Sequence, residues 1–303
     1  MKRSLPGLAA LAAASLLLTG GAQANDAVTV SSKIDTEGSV LGQLIIQRLQ
    51  QGGIETEDRL QLGATSIVRQ ALMSGEIDLY PEYTGNGAFF FDMTDSDVWH
   101  DAEQAYETVR ERDAENGLAW LTPAQANNTW AMSVRGDLAR EHDLETLEDL
   151  AEYLNEGGDF KFAASAEFVE SEQALPAFQQ AYGFELSSDQ LLVLSGGNTA
   201  ATMRAAAQQT SGVNGAMTYG TDGGLNALDL VVLEDTLGVQ PVYQPAPVVR
   251  QEVLDAHPEI AELLEPLFQS LDLETLQELN GLVAVEGLDP RQVAEEYLAG
   301  LQD

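Results

Sequence analysis

Two tyrosines, Tyr80 and Tyr83, flank Pro81 and Glu82 and lead into Thr84, Gly85, Asn86 and Gly87, in the stretch YPEYTGNG. Aromatic faces beside hydroxyl and carboxamide groups suit the holding of a small molecule. The run Ile77–Tyr80 is mostly apolar and reads as a buried strand that breaks at Pro81 into a loop. Side chains in that loop then sit at the mouth of a sheet. Ligands of open α/β proteins bind there, and glycines let them approach backbone N–H groups. Plugging of the core by the two tyrosines is the alternative, and this stretch alone leaves it open.

Catalytic chemistry finds little support. His100, His142 and His257 are scattered over acidic stretches, and no GxSxG, HExxH, Walker or GxGxxG pattern follows the first 24 residues. Asp92, Asp95, Asp97 and Asp101 miss the spacing of a calcium loop, its central glycine and its closing glutamate. They read as helix caps on an acidic surface, and no metal or other cofactor is expected. The chain has no cysteine, so neither a disulfide nor a thiolate metal site can form. An adaptor would need heptads or an exposed apolar face, and neither is evident.

The first 24 residues combine Lys2 and Arg3, an apolar middle from Leu8 to Leu18 and a small-residue exit at Ala22–Ala24, the pattern of a cleaved export signal. Its apolar part is shorter than the roughly 20 residues that span a bilayer, and no cysteine follows it for lipidation. A free periplasmic protein, monomeric, is the expectation. The remaining length of about 280 residues suits two lobes. Fourteen basic residues stand against 49 acidic ones, a net charge of −35; loss of Lys2 and Arg3 with the leader takes it to −37. That charge repels nucleic acid and anionic lipid. A hydrophobic content of 44% with clear periodicity excludes disorder, so the acid reads as a solvated surface suited to high salt, as in a halophile.

The elements that must position the tyrosine stretch follow from periodicity. Strand Ala27–Ser31, loop Ser32–Gly38, a helix through Val40, Leu44 and Leu49 to Gly52, a short strand Leu60–Leu62 and a helix capped by Thr65 or Ser66 precede the focal strand. Alternation of this kind implies parallel strands joined by crossover helices. A charged helix over 101–116, a strand at 118–121 and a strand at 130–134 follow. A second β/α set then runs to a strand at 213–218. Residues 239–249 are extended, and Pro241, Pro245 and Pro247 mark them as an edge or crossing segment rather than a central strand. Residues 258–301 read as helices capped by Asp272 or Asp289.

Six stretches in this order, SKIDTEG, GEIDLYPEYTGNG, TPAQANNTWAMSVR, AASAEF, MTYGTDG and YQPAPVVR, resemble the glycine betaine/choline-binding class of ABC-transporter solute-binding proteins, of the osmoprotectant-binding type. The resemblance implies an α/β fold of two lobes, the type II Venus-flytrap form, with a mainly parallel sheet in each lobe and two crossings between them. It implies a leader over 1–24, a first lobe over 25–128 plus 246–303 and a second over 129–245. A quaternary ammonium ligand and the permease subunits of an inner-membrane ABC transporter are the implied partners. A quaternary ammonium cannot donate a hydrogen bond, and the negative faces of aromatic rings are its best partners. By resemblance the box comprises Tyr83, Trp130, Tyr219 and Tyr243, with Lys33 for a ligand carboxylate, Thr36 and Asn86 as neutral donors, and Asp222 orienting the Tyr219 segment or facing the cation. Relatives commonly carry a carboxylate-clamping arginine shortly after the AEF stretch, where this chain has Ser171. Serine cannot replace that planar charged fork.

The charge of −37 makes a prediction of its own. Raising sodium chloride from millimolar to molar, where the Debye length falls to about 3 Å, is expected to raise the melting temperature; a flat or falling curve removes the high-salt reading.

Overall fold

In the computed structural model, which describes residues 27–194 and 199–301, strand β1 (Val28–Lys33) feeds helix α1 (Thr36–Gln51). Asp35 caps that helix, its carboxylate accepting from the Gly38 N–H at 2.6 Å. Val40, Leu41, Leu44, Ile45 and Leu49 are all buried, as their helical spacing predicts. Next come β2 (Thr56–Gly63), α2 (Thr65–Ser74), β3 (Leu79–Tyr83), a 3-10 turn, the short α3 (Gly87–Phe90), α4 (Ala102–Ala114) and β4 (Leu118–Trp120). The chain then crosses to β5 (Trp130–Arg135), α5 (Gly136–His142), α6 (Leu147–Asn155), β6 (Phe162–Ser165), α7 (Ala166–Glu170) and α8 (Leu175–Tyr182). After β7 (Leu191–Leu194), α9 (Thr199–Ala207), β8 (Gly215–Tyr219), α10 (Gly224–Ala227) and β9 (Leu230–Val232) it crosses back to β10 (Pro245–Arg250). Four helices follow: α11 (Gln251–Ala256), α12 (Glu259–Gln269), α13 (Leu273–Ala284) and α14 (Pro290–Gly300). Asp272 and Asp289 both cap, one for each of the last two. The leader expected over 1–24 lies outside the described residues.

The strands form two five-stranded sheets, ordered β2-β1-β3-β10-β4 and β7-β6-β8-β5-β9. The two-lobed α/β architecture with two crossings is present, and the two orders are equivalent. Each sheet is mainly parallel, four strands running one way and one against them. In each, the first three strands are parallel, and the strand arriving from the other lobe enters antiparallel between the third and the last. Both sheets are covered on two faces. One face of the first packs on α1, α12, α13 and α14, the other on Trp99, Val109 and Leu72; the second sheet has a larger cluster around Phe168 and Phe178 and a smaller one around Met203 and Leu225.

Local features depart from the sequence reading for identifiable reasons. β2 starts at Thr56, earlier than Leu60, because an edge strand carries charges on both faces (Glu57, Asp58, Arg59) and so hides its alternation. Ala64, not Thr65 or Ser66, occupies the N-cap position of α2, and no side chain caps it. β3 continues through Pro81 instead of breaking there, and β10 is an internal strand despite Pro245 and Pro247. The register resolves both: Pro247 faces Pro81 and Pro245 faces Tyr83. The Thr84 N–H donates to the Gln244 carbonyl at 3.0 Å, which puts residues 244, 246 and 248 at the hydrogen-bonded positions toward β3 and the prolines between them. The prolines of β10 contribute only carbonyls on their other side, to the Leu121 and Ala124 N–H groups. No ladder bond between β10 and β3 is lost.

The crossings, residues 121–129 and 233–244, lie side by side. The Asn128 N–H donates to the Tyr243 carbonyl at 2.9 Å, the Tyr243 N–H to Asn127 Oδ1 at 2.8 Å, and the Thr129 hydroxyl to the Pro241 carbonyl at 2.7 Å. Beneath the tyrosine loop, Arg69 of α2 holds Asp113 of α4 in a two-pronged ion pair and lies 4.4 Å from the Phe90 ring centroid. Asp113 is fully buried and also accepts from the Trp120 indole at 2.7 Å. Asp113→Asn leaves the Arg69 charge uncompensated, so a loss of about 3–5 kcal/mol is expected in urea denaturation.

Candidate functional site

Between the two sheets lies a cavity of about 990 Å³, at the upper end of the roughly 300–1,000 Å³ of small-molecule sites. It opens beyond the carboxyl ends of β1, β3 and β8, which deliver Lys33, Tyr83 and Tyr219, and beside the two crossings, which deliver Asn128 and Tyr243. All eight residues singled out from the sequence line it: Lys33, Thr36, Tyr83, Asn86, Trp130, Tyr219, Asp222 and Tyr243. Ser171, at the C-cap of α7, lines it too.

Each aromatic side chain is held differently. Trp130 is the first residue of β5 and the cross-strand partner of Tyr219, so these two rings come as a pair from the second sheet. Phe168 supports the indole edge-on, with centroids 5.8 Å apart. Tyr243 lies on the backbone of Gly85; a Cβ there would come within 2.7 Å of its Cε1. That close approach explains a glycine in the YTGNG loop. The Tyr83 hydroxyl donates to Glu37 Oε1 at 2.7 Å. Burial pushes the phenols of Tyr83, Tyr219 and Tyr243 up, with Glu37 adding to the effect at Tyr83. The rings stay neutral at physiological pH, and Tyr83 already has the Lys33 ammonium over its ring.

The charged groups are already engaged. Lys33 Nζ, its side chain 9% exposed, donates to the wholly buried Glu82 at 2.5 Å and sits 4.4 Å from the Tyr83 ring centroid. Glu82 also accepts from the Tyr83 N–H, from Asn86 Nδ2 and from the Tyr80 hydroxyl, each at 2.7 Å. Asn86 is therefore committed to Glu82, whereas Lys33 retains further N–H groups at the cavity wall. Asp222 accepts from the Tyr219 N–H at 2.8 Å and so orients that segment, and burial pushes its carboxyl up. Glu37, in the first turn of α1, collects Tyr83, Asn128 Nδ2 at 3.0 Å and Asn280 Nδ2 at 2.7 Å. Burial raises its pKa against those hydrogen bonds. Among the described residues no group of His, Asp and Glu side chains is arranged to hold a metal ion, and no helix is long and apolar enough to cross a membrane.

Sequence reasoning missed Glu37, Asn128, Thr221 and Asn280 as wall residues. Asn280 left a signal: it falls on the apolar stripe of α13 with Leu276, one turn earlier. Glu37 left none, because the sequence reading ends the loop at Gly38 and an acid in a loop reads as solvated, whereas α1 begins at Thr36.

Two α/β lobes joined by two adjacent crossings, with a cavity between them, define a bilobed solute-binding protein. Residues 26–300 match the family model of the substrate binding domain of ABC-type glycine betaine transport systems, and the chain belongs to that family. It is 58% identical over 292 residues to the glycine betaine-binding protein YehZ of Escherichia coli K12, a match covering 96% of this chain and 94% of that one. It is 33% identical to a glycine-betaine-binding protein of Pseudomonas aeruginosa, over 95% of this chain and 92% of that one. The solved structure of ligand-free YehZ from E. coli superposes with a TM-score of 0.87, covering 91% of this chain and 98% of that one.

The contact between Gly85 and Tyr243 can be tested directly. Gly85→Ala is expected to displace the Tyr243 ring at an overpacking cost of about 1–3 kcal/mol, read as a lower melting temperature together with an altered near-ultraviolet circular dichroism spectrum.

Proposed function

We propose that the chain captures a quaternary ammonium osmoprotectant between its lobes, glycine betaine first and choline-type compounds next, and delivers it to the permease of an inner-membrane ABC transporter. The observation that carries this reading is the convergence of Tyr83, Trp130, Tyr219 and Tyr243 from four segments on one cavity, with the phenols kept neutral. A desolvated cation over such faces gains about 2 kcal/mol or more. Lys33 at the same wall is suited to a carboxylate, with Glu82 holding it in place. The protein acts in the periplasm after loss of a leader over 1–24 and is not an enzyme. A first lobe over 25–128 plus 246–303 and a second over 129–245 close on the ligand, using the paired crossings as the hinge.

A specific observation favours a second reading, a cationic solute without a carboxylate. Among the described lining residues Lys33 is the single basic one, against Asp35, Glu37, Glu167 and Asp222, and Ser171 supplies no charge.

Titration calorimetry with glycine betaine, choline, carnitine and proline betaine distinguishes the two. Tyr219→Ala is expected to weaken glycine betaine and choline alike, since they share the trimethylammonium head. Ser171→Arg is expected to tighten glycine betaine about tenfold or more, as a charge-assisted hydrogen bond of about 1.5–3 kcal/mol implies, and to leave choline unchanged or weaker. Binding of none of the four by the parental protein overturns the proposed function. Equal gains for both ligands in Ser171→Arg overturn the placement of Ser171 beside the carboxylate.

A further inference from the structure

The last helices of the chain do more than cover α1. α13 belongs to the core of the first lobe through Leu276 and Leu279, and the face next to that stripe meets the second lobe at the turn after β8. Gln277 Nε2 donates to the Gly220 carbonyl at 2.7 Å, and Asn280 Nδ2 donates to the Thr221 carbonyl at 2.9 Å. These residues are three apart and share one helix face. Between them and the next turn the backbones touch: a Cβ on Gly223 would lie 2.1 Å from the Gly281 nitrogen. The turn that α13 holds is the one carrying Tyr219 and Asp222.

The same Asn280 nitrogen donates to Glu37 Oε2 at 2.7 Å, while Glu37 Oε1 accepts from the Tyr83 hydroxyl and from Asn128 of the first crossing. A continuous hydrogen-bonded relay thus runs from Tyr83, through Glu37 and Asn280, to the Thr221 carbonyl beside Tyr219. It joins the two halves of the aromatic site by a route separate from the crossings. Glu37 and Asn280 are buried, 6% and 3% exposed, so solvent offers little substitute for a broken link.

We propose that Glu37 and Asn280 are positioning residues that set the separation of the Tyr83 half and the Tyr219 half of the cavity before any ligand arrives. The carboxylate suits this task because three donors converge on its two oxygens. An amide at position 37 offers one acceptor oxygen and turns an N–H group toward at least one of those donors. The relay spares a ligand part of the cost of bringing the two halves together. Its effect on affinity, unlike its effect on lobe separation, rests on the function proposed above.

The chain has no cysteine, so nitroxide labels attach only at introduced ones. Glu103→Cys on α4 and Glu152→Cys on α6 place one exposed label on each lobe, and pulsed electron–electron resonance reads their distance in the full, ligand-free chain. A single narrow distribution is expected for the parental pair, and a broader or displaced one for Glu37→Gln and for Asn280→Ala, each with unchanged far-ultraviolet circular dichroism. Parental distributions in both variants overturn the proposal. So does a double variant whose shift is the sum of the singles, since two members of one relay are non-additive. The isosteric Glu37→Gln keeps the test available if Asn280→Ala fails to fold. In parallel, glycine betaine affinity is expected to fall about tenfold in either variant. If the parental protein binds no glycine betaine, the proposed ligand fails, while the distance measurement still decides the role of the relay.

Discussion

The pairing of Lys33 with Glu82 is the constraint around which this molecule is arranged. Both charges sit at the carboxyl ends of adjacent parallel strands, β1 and β3, and Glu82 is wholly out of water. A buried carboxylate is tolerable only when its oxygens are saturated. Glu82 therefore draws in the Lys33 ammonium, the Asn86 amide, the Tyr80 hydroxyl and the backbone N–H of Tyr83. Satisfying one anion curls residues 82–86 back on themselves, turns Tyr83 into the cavity and leaves Gly85 against Tyr243. The aromatic wall is in this sense a by-product of solvating a charge with protein.

Much of this was legible beforehand. The order of strands and helices followed from periodicity, because helices with one buried stripe and strands with buried faces leave unambiguous spacing. The wall residues Tyr83, Trp130, Tyr219 and Tyr243 were named from motif resemblance, and all four reach one cavity. The polar partners were not legible. Asn86 reads as a free donor in sequence and is tied to Glu82 in space. Glu37 falls in the loop Ser32–Gly38 of the sequence reading and is instead buried in the first turn of α1 under three donors. Hydrogen-bond partners 46 to 243 residues apart leave no local pattern. The central placement of β10 was hidden for a different reason: proline's penalty in a sheet depends on which way its nitrogen points, and sequence carries no phase.

The cavity also shows how a strongly acidic protein can present a site for a zwitterion. The buried acids in it and beneath it are already committed. Glu82 is neutralised by Lys33, Asp222 is spent on the Tyr219 backbone, and Glu37 is spent on Tyr83 and two asparagines. Asp35, which caps α1, and Glu167 remain exposed at the wall beside the rings and amides. Ring quadrupoles attract a cation without adding net charge.

The equivalent strand orders carry a consequence for how the chain becomes a protein. The second sheet draws all five strands from one contiguous stretch, β5 to β9, and its core can assemble as soon as that stretch exists. The first sheet cannot. Its fourth strand, β10, and the helices α12 to α14 that cover α1 are made only after the whole second lobe. Until they emerge, α1 has an uncovered face of leucine and isoleucine, and β3 and β4 have open edges with no strand between them. The N-terminal lobe is thus the last to be finished, closing contacts across more than a hundred and fifty residues, the kind of long loop that slows folding and prolongs exposure to aggregation.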